Sequence, residues 1–191
     1  MQKRLISAFL LLLLPSPGFA AEPIDPARIV SAATGDWDKN GASDLALLVA
    51  PADGSDEDNA IYLYLSNEVG RLTLKSQIPN KVWGTFELYG QAPSITGLSN
   101  GSIQITSHND AIGRERWEQK LTIAFRKSDF VVAGYTYSSY DTLDPNATMQ
   151  CDFSVLSGKG TRNNKPITAR GATVLLKDWS DDIGQKACGA E

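Results

Sequence analysis

The chain has 191 residues with 18 basic and 22 acidic groups, a formal charge of −4, and a length that suits one domain with a buried core but hardly two. An acidic balance with no basic stripe argues against nucleic acid or an anionic bilayer as a partner. Beyond the N-terminus no long apolar run recurs, so no membrane span is expected.

The first twenty residues have the pattern of a secretory signal peptide. Lys3 and Arg4 form a short positive segment, and the run from Leu5 to Leu14 is apolar but too short to span a bilayer as a stable helix. Pro15 and Pro17 break that run, and Gly18 and Ala20 supply the small residues that a signal peptidase requires. Cleavage after Ala20 would leave residues 21–191 as a single β domain. With Lys3 and Arg4 removed, 16 basic groups face 22 acidic ones, for a formal charge of −6. The expected location is periplasmic or secreted.

The next feature along the chain is Gly35-Asp36-Trp37-Asp38-Lys39-Asn40-Gly41-Ala42-Ser43-Asp44-Leu45. Asp36, Asp38 and Asn40 alternate, so a curled loop can aim their oxygens at one point, and Gly41 permits the sharp turn that follows. The Ala42 carbonyl and the Asp44 carboxylate complete a set of hard oxygen donors, which suits calcium rather than zinc or copper. An EF-hand is excluded, because its twelfth position would be Leu47 in place of the required glutamate. The alternative reading is a metal-free turn, since Asp, Asn and Gly also fold loops through local side-chain-to-backbone bonds. The string resembles the calcium loops of the FG-GAP and VCBS repeat families, whose pattern is DxDx(D/N)GxxDL between two strands. Over about residues 30–65 the resemblance implies Asp36, Asp38, Asn40, Ala42 and Asp44 as ligands of a calcium ion, and propeller-like blades as the fold. The loop occurs in a single copy.

After the loop, period-two alternation dominates. Leu45 to Ala50 is apolar on both faces and reads as a central strand; Ile61 to Leu65 and Arg71 to Lys75 follow. Between the first two lies an acidic cluster, Asp53 to Asp58, which reads as a solvated loop or as a completion of the calcium shell. Ser94 to Leu98 and Ser102 to Thr106 flank Ser99-Asn100-Gly101, a hairpin signal. Arg116 to Phe125 and Phe130 to Tyr137 form another pair around Lys127-Ser128-Asp129. Cys151 to Leu156 and Thr168 to Leu176 read as extended, Ser157 to Pro166 as a polar loop, and Asp178 to Gln185 as a short helical piece. The fold class is therefore all-β with little helix: an antiparallel sheet, a sandwich or a barrel-like domain from the strand pattern, or the partial propeller-like blades that the resemblance implies. The stretch Phe130 to Gly158 also resembles a recurring piece of bacterial periplasmic proteins.

The remaining chemistry is sparse. Cys151 and Cys188 form an even pair in an exported chain and predict a disulfide. Gly97-Leu98-Ser99-Asn100-Gly101 matches GxSxG, yet it falls on a hairpin rather than the strand-to-helix turn of a hydrolase elbow. His108 is the single histidine, and strand geometry gives no reason for it to meet Ser99. Tyr135 and Tyr137 share a strand face, with core favoured over a binding platform. The functional expectation is a non-catalytic, calcium-binding β domain whose partner is a protein or an envelope glycan. The alternatives are a periplasmic inhibitor or immunity protein and an envelope hydrolase.

Overall fold

The computed structural model describes residues 24–189. The segment 1–20, read above as a signal peptide, lies outside the described residues. Two antiparallel sheets carry the described chain, with one short helix near its end. The first sheet has the sequential order β1 (Ile29–Gly35), β2 (Asp44–Val49), β3 (Asn59–Ser66), β4 (Leu72–Val82). The second runs β5 (Ser94–Gly97), β6 (Ile103–Asn109), β7 (Glu115–Arg126), β8 (Asp129–Asp141), β9 (Thr148–Ser154), β10 (Lys159–Arg162), β11 (Lys165–Thr168). A last short strand, β12 (Val174–Leu175), pairs with β8 at Val131 and Val132, beyond the stretch that β9 occupies. Neither sheet closes into a barrel, and the all-β expectation holds. Among the described residues no helix is long and apolar enough to cross a membrane.

The strands form where alternation can bury one face. Ala46 and Leu48 of β2, Ile61 and Leu63 of β3, and Ile78 and Val82 of β4 join one core with Ile103 and Ile105 of β6, Leu121 and Ile123 of β7 and Phe153 of β9. Side chains from both sheets thus fill a single core, as in a sandwich. β2 is buried along nearly its whole length and lies between β1 and β3, as its two-faced apolarity predicts. The sheets meet along one edge, where Ser31 Oγ on β1 accepts the Ile95 N–H of β5 at 3.1 Å.

Turn chemistry sets the registers. Lys127 and Ser128 both take positive φ between β7 and β8, and Gly101 does so between β5 and β6. The polar stretch Ser157 to Pro166, read as a loop, instead holds β10 and the start of β11. Asn163 and Asn164 form the turn between those strands, with φ of 47° and 62°. Of the extended run expected over 168–176, Thr168 closes β11 and only Val174–Leu175 pairs again, as β12. On β8 a register shift between the partners of Thr122 and Ile123 lets Val132 and Tyr135, three residues apart, both enter the core.

The helix α1 (Asp181–Ala187) covers Tyr135. A Cβ on Gly184 would lie 2.6 Å from that ring, so glycine is what lets the helix approach so closely. The Cys151–Cys188 disulfide, with Cα atoms 5.9 Å apart, ties the end of α1 to β9.

Candidate functional site

The acidic loop connects β1 to β2, two adjacent antiparallel strands. Gly35 pairs with Asp44, so the strands bring both ends of the loop together. Asp36, Asp38 and Asp44 each place one carboxylate oxygen so that all three lie within 4.8 Å of one another. Oxygens held about 2.3–2.6 Å from a shared calcium ion lie no more than roughly 5 Å apart, so this spacing is compatible with one ion. Two full charges at such a distance repel by roughly 1–4 kcal/mol between the bulk-water and protein-surface limits. No Lys or Arg among the described residues is ion-paired with them. The one cation of the loop, Lys39, points its Nζ at the Asn100 carbonyl, 3.4 Å away.

The same side chains also hold the loop's backbone. Asp36 accepts the N–H groups of Asn40 and Gly41 at 3.0 Å each, and Asp38 Oδ1 shares the Asn40 N–H at 3.1 Å. Asn40 Oδ1 accepts the Ala42 N–H at 2.7 Å, while its Nδ2 donates to Asp38 Oδ2 and to the Ser66 carbonyl. Lys39 and Gly41 take positive φ of 66° and 88° to complete the curl. Both sequence readings of the loop thus have a physical basis here: the local turn bonds are made, and three carboxylates still converge. A carboxylate oxygen that accepts one N–H keeps a second lone pair free for a cation.

Asp44 is the anchor. It is 1% exposed, its Oδ2 accepts the Trp37 N–H at 2.7 Å, and its Oδ1 accepts the Ser66 N–H at 2.8 Å. One carboxylate therefore joins the start of the loop to the end of β3.

Sequence reasoning passed over Trp37. Its neighbours Asp36 and Asp38 converge with Asp44, while the indole packs away from them, 2% exposed. A Cβ on Gly35 would overlap the indole ring, and one on Gly97 would lie 2.6 Å from the Thr34 carbonyl and 2.9 Å from Trp37 Cη2. The ring is a wedge between β1 and β5 that fixes the loop to the second sheet. The signal was present in the alternation Asp-Trp-Asp directly after a glycine.

The second acidic cluster does not join this site. Asp44 begins β2 and the segment Asp53 to Asp58 follows its end, so the two are separated by the strand's length, roughly 17 Å at 3.3 Å per residue. Asp58 turns instead toward α1. Burial, and then the nearby Asp181 carboxylate, raise its pKa above the ordinary value of 3.8. Burial lowers the pKa of Lys81 in the same region, with Asp181 and Asp178 pulling it back up, and Lys81 Nζ donates to the Trp179 carbonyl at 2.6 Å. Because the folded value of Asp58 is the higher one, the fold holds that proton more tightly than the unfolded chain does. The associated stability is present at low pH and is lost as pH rises from about 4 through the raised value. Asp58→Asn is expected to flatten this part of the stability-against-pH curve and to gain a few tenths of a kcal/mol at pH 7, a small effect because the group is partly solvated. Urea midpoints at pH 4, 5.5 and 7 check it; parallel curves for the two proteins would refute it.

Ser99 lies in the β5–β6 turn and His108 near the far end of β6, roughly 17 Å away along the strand. His108 Nε2 instead sits 3.6 Å from Asp110 Oδ2. Tyr135 is 1% exposed and stacks near Tyr137 with ring centroids 6.4 Å apart, so Tyr135 belongs to the core, while Tyr140 is exposed. Comparison with protein-family models, curated proteins and solved structures gives no match.

Proposed function

We propose that this chain is an exported calcium-binding β domain that acts by binding a protein or an envelope glycan, with the ion as a structural brace. The observation that carries the metal half is the convergence of Asp36, Asp38 and Asp44 on one point. Support comes also from the position of the loop between paired strands, the arrangement of the FG-GAP and VCBS loops that the string resembles. Asn40 and the Ala42 carbonyl complete the proposed donor set. The bound ion would supply a fixed positive charge that relieves repulsion among the carboxylates and locks β1 to β2. The Cys151–Cys188 disulfide favours an oxidising compartment, in keeping with export to the periplasm or beyond.

Calcium at about a hundred times its dissociation constant would stabilise the fold by ~2.7 kcal/mol. For a domain of this size that is a rise of roughly 5–10 °C in thermal midpoint. The rise is expected in the wild type and absent in Asp38→Ala, measured after chelation and again with calcium at that excess over its dissociation constant. Equal midpoints with and without calcium in the wild type would dismiss the metal. Asp38 is the residue to test because its carboxylate bonds only within the loop, to Asn40.

A further inference from the structure

At the opposite end of β2 from the cation loop, three separate segments enclose an open cavity of about 600 Å³. Asp25 and Arg28 come from the chain just before β1, Asp53 and Glu57 from the β2–β3 loop, and Phe86 and Glu87 from the segment after β4. The four carboxylates form no ion pair among the described residues. The single cation that the described residues place on the wall, Arg28, donates its Nε–H to the Ala50 carbonyl at 2.8 Å. At the base lies Asn59, 2% exposed, whose Nδ2 is taken by the carbonyls of Val82 and Gly84 at 2.7 Å each. Among the described residues its amide oxygen accepts no hydrogen bond, and Asn59 lines the cavity. Phe86, 55% exposed, lines the same cavity beside these acids.

The wall is thus rich in acceptors, net negative and provided with one aromatic face. Its volume falls in the range of organic ligand pockets and exceeds what a bare metal ion needs. The geometry points to this cleft as a binding site for an organic cation, an alkylammonium or guanidinium group, whose donors meet the carboxylates while its charge rests against Phe86. A basic side chain of a polypeptide and a free polyamine share that chemistry. The inference rests on the binding half of the reading above and is independent of the metal half, because the loop of Asp36 to Asp44 lies across the sheet.

The test is titration calorimetry of the disulfide-intact protein in millimolar calcium, with spermidine and an acetylated, amidated tri-arginine peptide as probes and a tri-glycine peptide as control. Both basic probes are expected to bind and the control not to, with affinity falling as salt rises. Preference for the peptide over spermidine assigns the site to polypeptide side chains, and the reverse assigns it to polyamines. Glu57→Gln combined with Glu87→Gln is expected to weaken binding roughly fivefold, as loss of two exposed charge pairs implies. Phe86→Ala is expected to weaken it roughly threefold. Asp38→Ala should leave it unchanged. No binding of either basic probe, affinity equal in wild type and cavity variants, or loss of binding on Asp38→Ala would each overturn the inference.

Discussion

Asp44→Ala is expected to destabilise the domain by about 3 kcal/mol or more even in chelator, because it strands two backbone N–H groups at once, each worth roughly 1–3 kcal/mol when left unpaired in a dry site. The groups are those of Trp37 and Ser66, and the carboxylate that satisfies them is 1% exposed, so water does not replace it without opening the structure. The chelator matters to the design: it removes any bound ion, so the loss reads the hydrogen bonds less the repulsion that the Asp44 carboxylate no longer exerts on Asp36 and Asp38. Asp38→Ala in the same buffer serves as the reference. Its carboxylate is partly exposed and bonds only to Asn40, so the cost should be about 1 kcal/mol or less. Asp44→Asn should fall between wild type and alanine, since an amide keeps one acceptor but turns an NH₂ toward a backbone N–H. Urea midpoints with unchanged slopes give all three values. Equal losses for Asp44→Ala and Asp38→Ala would mean that Asp44 does not hold the loop to β3.

That division between Asp44 and its neighbours explains why the loop was legible in the chain while its anchoring was not. Asp36, Asp38 and Asp44 converge within nine residues, a geometry that alternation and one permissive glycine dictate locally. The bond from Ser66 to Asp44 spans 22 residues, and Trp37 wedges against Gly97 of the other sheet. Neither contact leaves a trace in local spacing. The acid-lined cleft is less legible still, because residues near 25, 55 and 86 meet only once β2 and β4 have paired through β3.

The same distinction runs through the fold. β2, apolar on both faces, and β3 and the long pair β7–β8, with strong apolar alternation, stand where the pattern places them. β10 and β11 were missed because their sequences, Lys-Gly-Thr-Arg and Lys-Pro-Ile-Thr, bury almost nothing. They pair because two asparagines accept positive φ, and Pro166 is tolerated because β11 is an edge strand. β1 was hidden for a related reason: its small residues, Ser31 to Gly35, carry little hydrophobic signal and are ordered by pairing with β2.

Replacing Cys151 and Cys188 together by alanine is expected to cost about 4 kcal/mol, since the chain-entropy model assigns that much to a closed loop of this length. For a domain whose whole margin is typically 5–15 kcal/mol, this would rank with the largest changes available. Alanine is the right replacement because both cysteines are fully buried, where a serine hydroxyl would add a penalty of its own. The loss should be local before it is global. At seven residues α1 is too short to persist alone, and what else holds it is the Gly184 contact with Tyr135 and the bond from Gln119 Nε2 to Asp181 Oδ2 at 2.8 Å. Trp179 packs on Tyr135 with centroids 5.7 Å apart and is 2% exposed, so release of the C-terminal segment would carry its indole into water. A red shift of tryptophan emission at low urea, ahead of the main transition, is the expected signature in the double variant. Reducing the wild type should reproduce it. A loss below about 1 kcal/mol with emission unchanged would mean that helix packing alone holds the C-terminus, and that the cross-link between β9 and α1 is redundant.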